Sequence, residues 1–304
     1  MSHAALLVCA LLLDALFGEP DGLWRRVPHP AVLMGRLIGW CDTRFNRGAH
    51  RKARGTLVMA VLGLGALGLG AAIAALPLGW LWQVLIAAVL LAQRSLADHV
   101  GAVAGALRLG LPEGRRAVAR IVSRDTRGMD GTAVARGAIE SAAENLSDGV
   151  VAPALWFLVA GLPGLLLYKI TNTADSMVGY RTLRHLEFGW AAARLDDLLN
   201  LIPARVTALL IALVHGRPDA GPVVRRDAPL HRSPNAGWPE AAMAVCLDLQ
   251  LSGPRSYDGA VRDYPLVHPE GRAAIGAAEI DASVQALWRS WGLLLALVVG
   301  VALI

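Results

Sequence analysis

The chain has 304 residues, of which 55% are hydrophobic and only 17% charged, with a formal net charge of +5 and a mean hydropathy of +0.47. A soluble domain carries about 25% charged residues, so this composition excludes an ordinary water-exposed surface and points to a bilayer. The basic balance does not signal nucleic acid. Aromatic residues that could stack on bases make up 6%, and the arginines gather beside apolar runs, where they mark the cytoplasmic flank of a span. Cys9, Cys41 and Cys246 are too few and too scattered for a disulfide framework or a zinc site.

In chain order, an apolar run from Ala4 to Leu13 predicts a short helix over 4–17 that is marginal as a span. No Lys or Arg precedes it and Asp14 ends it, so it is expected to be retained rather than cleaved as a signal peptide. Residues 18–54 read as a basic loop. From Gly55 to Gln93 there is no Asp, Glu, Lys or Arg, and Pro77 and Gly79 interrupt the run. A spanning helix needs about 20 apolar residues, so 55–93 predicts two spans joined by a turn at 76–79. Arg51, Lys52 and Arg54 precede this hairpin and Arg94 and Arg108 follow it, which predicts that both its ends face the cytoplasm.

Residues 94–148 read as amphipathic cytoplasmic helices, with Leu107, Leu111, Val118, Ile121 and Val122 among many arginines. The uncharged stretch 149–168 is interrupted by Pro153, Pro163 and Gly164. It predicts a span that puts 169–197 outside or, as the favoured arrangement, a broken or re-entrant helix that leaves 169–197 on the cytoplasmic side. Residues 198–215 are a further apolar segment, 216–287 a long polar loop rich in Pro and Gly, and 291–304 an apolar end long enough to anchor but thin for a span. The expected fold is all-α: a polytopic helical membrane protein with amphipathic cytoplasmic helices and a long polar loop, forming one membrane-embedded domain over 1–304.

No phosphate-binding G-x-x-x-x-G-K-[ST] loop, H-E-x-x-H, C-x-x-C or G-x-S-x-G occurs. Gly63, Gly65 and Gly68 form a G-x-G-x-x-G inside the first hairpin helix, with no strand before it, so the dinucleotide reading fails and close helix packing in lipid is expected instead. Polar chemistry concentrates elsewhere. In IVSRDTRGMD (121–130) and RGAIESAAENLSDG (136–149), Glu140, Glu144 and Asp148 recur every four residues and share a helix face. That face reads as solvated surface, with Arg136 a partner for Glu140, or as magnesium ligands. In YKITNTADSMVGYR (168–181), Asn172, Thr173 and Asp175 are N-cap candidates, but capping does not account for the whole set with Lys169, Ser176, Tyr180 and Arg181. In ARLDDLLNLIPARVTALL (193–210), adjacent Asp196 and Asp197 point in different directions, and Asn200 and Arg205 enter an apolar helix, Arg205 as a partner for a buried carboxylate or as a functional cation. In HRSPNAGWPEAAMAVCLDLQLSGPRSYDG (231–259), a tight turn precedes a helix that carries Glu240.

These blocks, with DALFGEP (14–20) and HPAVLMGRLIGW (29–40), resemble in order and content the CobD/CbiB cobalamin-biosynthesis family, from Asp14 to about Gly259. The resemblance implies an adenosylcobinamide-phosphate synthase. Such an enzyme joins aminopropanol phosphate, or aminopropanol, to a propionate carboxylate of adenosylcobyric acid. Amide formation from a carboxylate at neutral pH is uphill, so ATP and Mg²⁺ are implied cofactors, with the corrinoid as substrate and an acyl phosphate as the ordinary activated form. The implied partners are these substrates, the lipid bilayer and other membrane-bound cobalamin-assembly enzymes, with no nucleic acid. The implied location is the inner membrane, with the active site facing the cytoplasm.

Carried onto this chain, the implied catalytic candidates are Glu140, Glu144, Asn145, Asp148, Lys169, Asn172 and Asp175. Cofactor- and substrate-binding candidates are His29, Arg124, Asp125, Arg181, Asn235 and Glu240. Metal candidates are Glu140, Glu144, Asp148, Asp175, Asp196 and Asp197. A transporter, or a regulatory or scaffold protein for corrinoid enzymes, is the rival reading, since polar residues within spans also mark transport paths.

Overall fold

The structure is a computed structural model that describes residues 1–257 and 259–304. In chain order its helices are α1 (His3–Phe17), α2 (Asp21–Trp24), α3 (Pro30–Phe45), α4 (Arg51–Ala74), α5 (Gly79–Leu90), α6 (Gln93–Leu109), α7 (Leu111–Val118), α8 (Gly131–Leu146), α9 (Ala152–Val178), α10 (Trp190–Leu199), α11 (Leu201–Val214), α12 (Gly221–Asp227), α13 (Gly237–Leu247) and α14 (Ala277–Ala302). A π-helical turn, Ser147–Val151, separates α8 from α9. Two short antiparallel ribbons, β1 (Leu251–Ser252) with β4 (Leu266–Val267) and β2 (Arg255–Tyr257) with β3 (Ala260–Arg262), complete the described fold. It is an all-α fold. The runs Arg51–Ala74, Gly79–Leu109, Gly131–Val178 and Ala277–Ala302 are long and apolar enough to cross a membrane, and α10 with α11 makes a fifth if the two count as one broken span. The chain end is thus part of a 26-residue helix, longer than the apolar stretch 291–304 alone suggests.

Contacts divide the chain into two compact units. The first comprises Met1–Ala92, Ala152–Asn200 and Leu297–Ile304. Its centre is α9, against which α1, α3, α4, α5 and α10 pack. The expected break in 149–168 falls at Gly161, whose φ of 62° is left-handed and open to glycine. Pro163, which lacks an N–H for the helix, follows two residues later. The 76–79 turn lies between α4 and α5, as Pro77 and Gly79 indicate. Glycines let α4 approach its neighbours closely. A Cβ on Gly70 would lie 2.6 Å from Pro163 Cα, and one on Gly55 only 2.0 Å from the Phe188 carbonyl oxygen. Of the three glycines expected to pack, Gly63 does, against Leu167, but Gly65 and Gly68 face open space. The 3.6-residue helical period carries them off the contact face.

The second unit comprises Gln93–Val151 and Leu201–Ala296. Its central helix is α8, packed by α6, α7 and α13, with α11 packed on α13. Here the expectation of amphipathic surface helices fails for α8. Val134, Ala135, Ala138, Ile139, Ala142 and Ala143 are fully buried, and Glu140 and Ser141 are buried with them. The expected polar loop 216–287 is also corrected: α12, α13 and the ribbons lie within it, and Ala241, Ala242, Met243 and Ala244 of α13 are completely buried. The helix expected to carry Glu240 is α13, and it lies in the core rather than in a polar loop.

The glycine contacts yield a paired prediction. Gly55→Ala must displace the Phe188 backbone and should cost about 1–3 kcal/mol, the range of overpacking. Gly65→Ala meets nothing and should be neutral or slightly stabilising, because alanine favours helix. Thermal unfolding of the two purified variants in detergent checks the contrast.

Candidate functional site

In the second unit, burial forces a charge cluster to assemble. Glu140 sits mid-helix in α8 with its side chain 3% exposed, and a carboxylate removed from water needs charge-assisted partners. Arg124, from the segment between α7 and α8, bonds Glu140 Oε2 directly. Arg255 of β2 lies 3.3 Å from the same oxygen. The backbone N–H of Ser252 in β1 donates to Oε1 at 2.7 Å. Ser252 takes a left-handed φ of 62°, a strained state for a side chain other than glycine, which this bond helps to hold. Both guanidinium side chains are nearly buried, at 10% and 9% exposed.

Glu240 of α13 faces the same cluster, 3.9 Å from Arg255 and 3.7 Å from His231 Nε2. Burial, with the Glu140 and Glu144 carboxylates nearby, pushes the Glu240 carboxyl well above the ordinary range. Its Oε2 has no hydrogen-bond partner among the described residues. The His231 Nδ1 accepts the Ser233 N–H at 3.1 Å, so the proton of neutral imidazole sits on Nε2, towards Glu240. Burial and the cations Arg255 and Arg232 pull the imidazole down to about 4. The cluster thus joins an ion-paired carboxylate, two buried guanidinium groups, a carboxyl whose burial favours its protonated form and a neutral imidazole.

The other expected residues of this unit divide around it. Glu144 and Asn145 are exposed on α8; the Asn145 amide donates to Ser141 O at 2.9 Å. Asp148 falls in the π turn, whose wider spacing takes it out of the four-residue register, so the three acids do not form the expected single helical face. Asp125 accepts from Ser256 Oγ at 3.0 Å and from Gly259 N at 2.8 Å, fixing the β2–β3 ribbon. Those bonds hold its carboxyl below the usual range. Arg136 donates to Gln250 O at 3.2 Å, and the partners that bond Glu140 are Arg124, Arg255 and Ser252 instead. Arg205 does not neutralise a carboxylate: it donates to Asn235 Oδ1 at 2.7 Å and lies over the Trp238 ring at 4.5 Å.

A second polar cluster lies in the first unit. Tyr168, Asn172 and Asp175 recur along one side of α9. Asp196 of α10 accepts from Asn172 at 3.2 Å and from Asn200 at 3.0 Å, and Tyr168 donates to Asn200 at 3.0 Å. Asp175 lies within electrostatic reach of Asp196. The N-cap reading of Asn172, Thr173 and Asp175 is therefore excluded: all three are inside α9, and Thr173 bonds back to Lys169 O at 2.7 Å. Lys169 is half-buried. Asp196 and Asp197 do point apart, Asp197 pairing with Arg194 at 3.6 Å, and Arg181 is exposed nearby. His29 is separate: it caps α3 through Ala31 N at 3.1 Å and lies 3.2 Å from Val89 O.

Sequence reasoning did not select Arg255, His231, Ser252 and Tyr168, although all fall within its quoted blocks. Among the described residues no three His, Cys, Asp or Glu side chains converge as a metal site. Glu140 fits a metal poorly because its oxygens are committed to two guanidinium groups and an N–H. Asp196 likewise has both oxygens taken, by the amides of Asn172 and Asn200.

A family model described as "CobD/Cbib protein" matches residues 7–287. A protein of Sinorhizobium sp named "Cobalamin biosynthesis protein CobD" is 51% identical over the full length of both chains. A protein of that name from Rhizobium meliloti is 51% identical over 93% of this chain and 92% of its own. The one from Rhodobacter capsulatus is 50% identical over 90% of each. No solved structure matches.

The raised Glu240 carboxyl has a signed consequence. Below about pH 4.5 the group is protonated in both states and has no effect. Above it the unfolded chain ionises first, so stability falls by up to about 1.4 kcal/mol per pH unit until the folded pKa is reached. Glu240→Gln should match wild type near pH 4 and exceed it as the pH rises above about 4.5. Unfolding in detergent across that range reads the difference.

Proposed function

The chain belongs to the CobD/CbiB family of cobalamin biosynthesis proteins; we propose that within it this protein is an adenosylcobinamide-phosphate synthase. The reaction is amide formation between a propionate carboxylate of adenosylcobyric acid and aminopropanol or its phosphate, as a carbon–nitrogen ligase dependent on ATP and Mg²⁺. The observation that carries this reading is the match from residue 7 to 287, which takes in all the motif blocks in order.

Supporting chemistry comes from the two clusters. Arg124 and Arg255 bring two buried positive charges beside the Glu140 carboxylate. Guanidinium groups of this kind favour an incoming carboxylate or phosphate. Glu144 is exposed at the edge of this cluster, within electrostatic reach of Arg255 and Arg232, and is our candidate for the base that takes the amine proton. Asn172 and Asn200 hold Asp196 by hydrogen bonds that persist without ligand. Bound ATP would supply the phosphoryl group that makes a carboxylate reactive, and magnesium would neutralise phosphate. On this reading the protein is a multi-pass inner-membrane enzyme whose reactive groups face the cytoplasm, where the nucleotide is.

Protein purified in detergent, given ATP, magnesium, adenosylcobyric acid and aminopropanol phosphate or aminopropanol, should yield a product with the mass of the amide. Glu144→Gln should lower turnover about 100-fold or more, the scale of a lost general base, while leaving the unfolding temperature unchanged. No amide with either amine would count against the synthase, and full turnover in the variant would remove Glu144 from the chemistry.

A further inference from the structure

The ends of two helices that belong to long apolar runs meet the start of α10: α4 begins at Arg51, α9 ends at Val178 and α10 begins at Trp190. Residues 179–189 are strapped across them. The Phe188 carbonyl lies against Gly55 and the Val178 carbonyl against Gly189. Arg184 and Asn46 both bond Asp42, at 2.5 and 2.8 Å, and Arg51 pairs with Glu187 at 3.3 Å. Helices of this apolar character end where hydrocarbon gives way to headgroups, so the strap lies at that depth.

Its surface suits the position. Leu183 is 93% exposed, and Leu186, Tyr180 and Trp190 are exposed beside it. The Lys52 ammonium stands 4.0 Å over the Trp190 ring. Leucine, tryptophan and tyrosine mixed with arginine and lysine make up an interfacial surface rather than a water-exposed one. Within it is a cavity of about 350 Å³, lined by Tyr180, Arg181, His185, Trp190, Arg194 and Asp197 among others. Two guanidinium groups line it against one carboxylate, and its apolar wall continues through Leu186.

We propose that this cavity holds the phosphate of an anionic phospholipid, met by Arg181 and Arg194, with Leu186 and Trp190 against the start of the acyl chains. The site goes beyond the biosynthetic reading and does not rest on it. Its occupant is a membrane lipid rather than a soluble phosphate, because the exposed leucines have no use in binding a small hydrophilic anion.

Native mass spectrometry of the purified full chain, incubated with phosphatidylglycerol or phosphatidylcholine, tests this. Wild type should retain phosphatidylglycerol about tenfold better, the scale expected for two arginines beside an anionic headgroup. Arg181→Gln with Arg194→Gln should bring the two lipids to parity, and Arg217→Gln, which pairs with Asp219 elsewhere, should leave the preference intact. If the double variant does not elute as folded protein, Arg181→Gln alone, on an exposed side chain, carries the same test. Equal retention by wild type, a preference surviving the double variant, or displacement of the lipid by millimolar inorganic phosphate would each overturn the proposal.

Discussion

Glu140 lies in the middle of a largely buried helix, and an ion there persists only if the fold supplies its counter-charges. Removing one partner of a buried ion pair costs about 3–5 kcal/mol, because the other charge is left stranded. That constraint organises much of the second unit. The segment between α7 and α8 has to deliver Arg124, and the β1 and β2 strands have to deliver Ser252 N–H and Arg255. Asp125 then holds the ribbon against the Arg124 segment through Ser256 and Gly259. The ribbons are too short to be stable alone; their bonds to Asp125 and Glu140 are what a segment of two or three residues per strand needs.

In the first unit the same problem is met with neutral partners. Asp196 is given the amides of Asn172 and Asn200 instead of an arginine, and Tyr168 secures the second amide. Amides satisfy the oxygens of Asp196 without cancelling its charge, whereas the guanidinium groups around Glu140 do both.

Sequence made some of this legible and hid the rest for identifiable reasons. The charge-free stretch from Gly55 to Gln93, with Pro77 and Gly79 inside it, marked α4, its turn and α5, because neither signal depends on tertiary context. The four-residue spacing of Glu140 and Glu144 marked the correct helix, but not that it is buried: alanine-rich faces look weakly apolar, though their small side chains pack most closely. The π turn that moves Asp148 leaves no compositional trace. Arg255 could not be paired with Glu140 by pattern, because the pairing depends on a ribbon that returns across more than a hundred residues of chain. The helix expected to carry Glu240 is α13, whose burial its short alanine-rich sequence did not reveal, and Gly65 differs from Gly63 only by which way the helix turns it.

The reach of the Glu140 contacts also sets a schedule for making the protein. Ser252 follows Glu140 by 112 residues and Arg124 precedes it by 16. At a synthesis rate of about 5–20 residues per second, Ser252 is made roughly 6–22 s after Glu140. During that interval α8 already exists, and of the groups that bond its carboxylate only Arg124 has been made. The arginine that is one of three partners in the finished fold is therefore the one that accompanies the acid through biogenesis, when the nascent helix is being sorted between water and lipid.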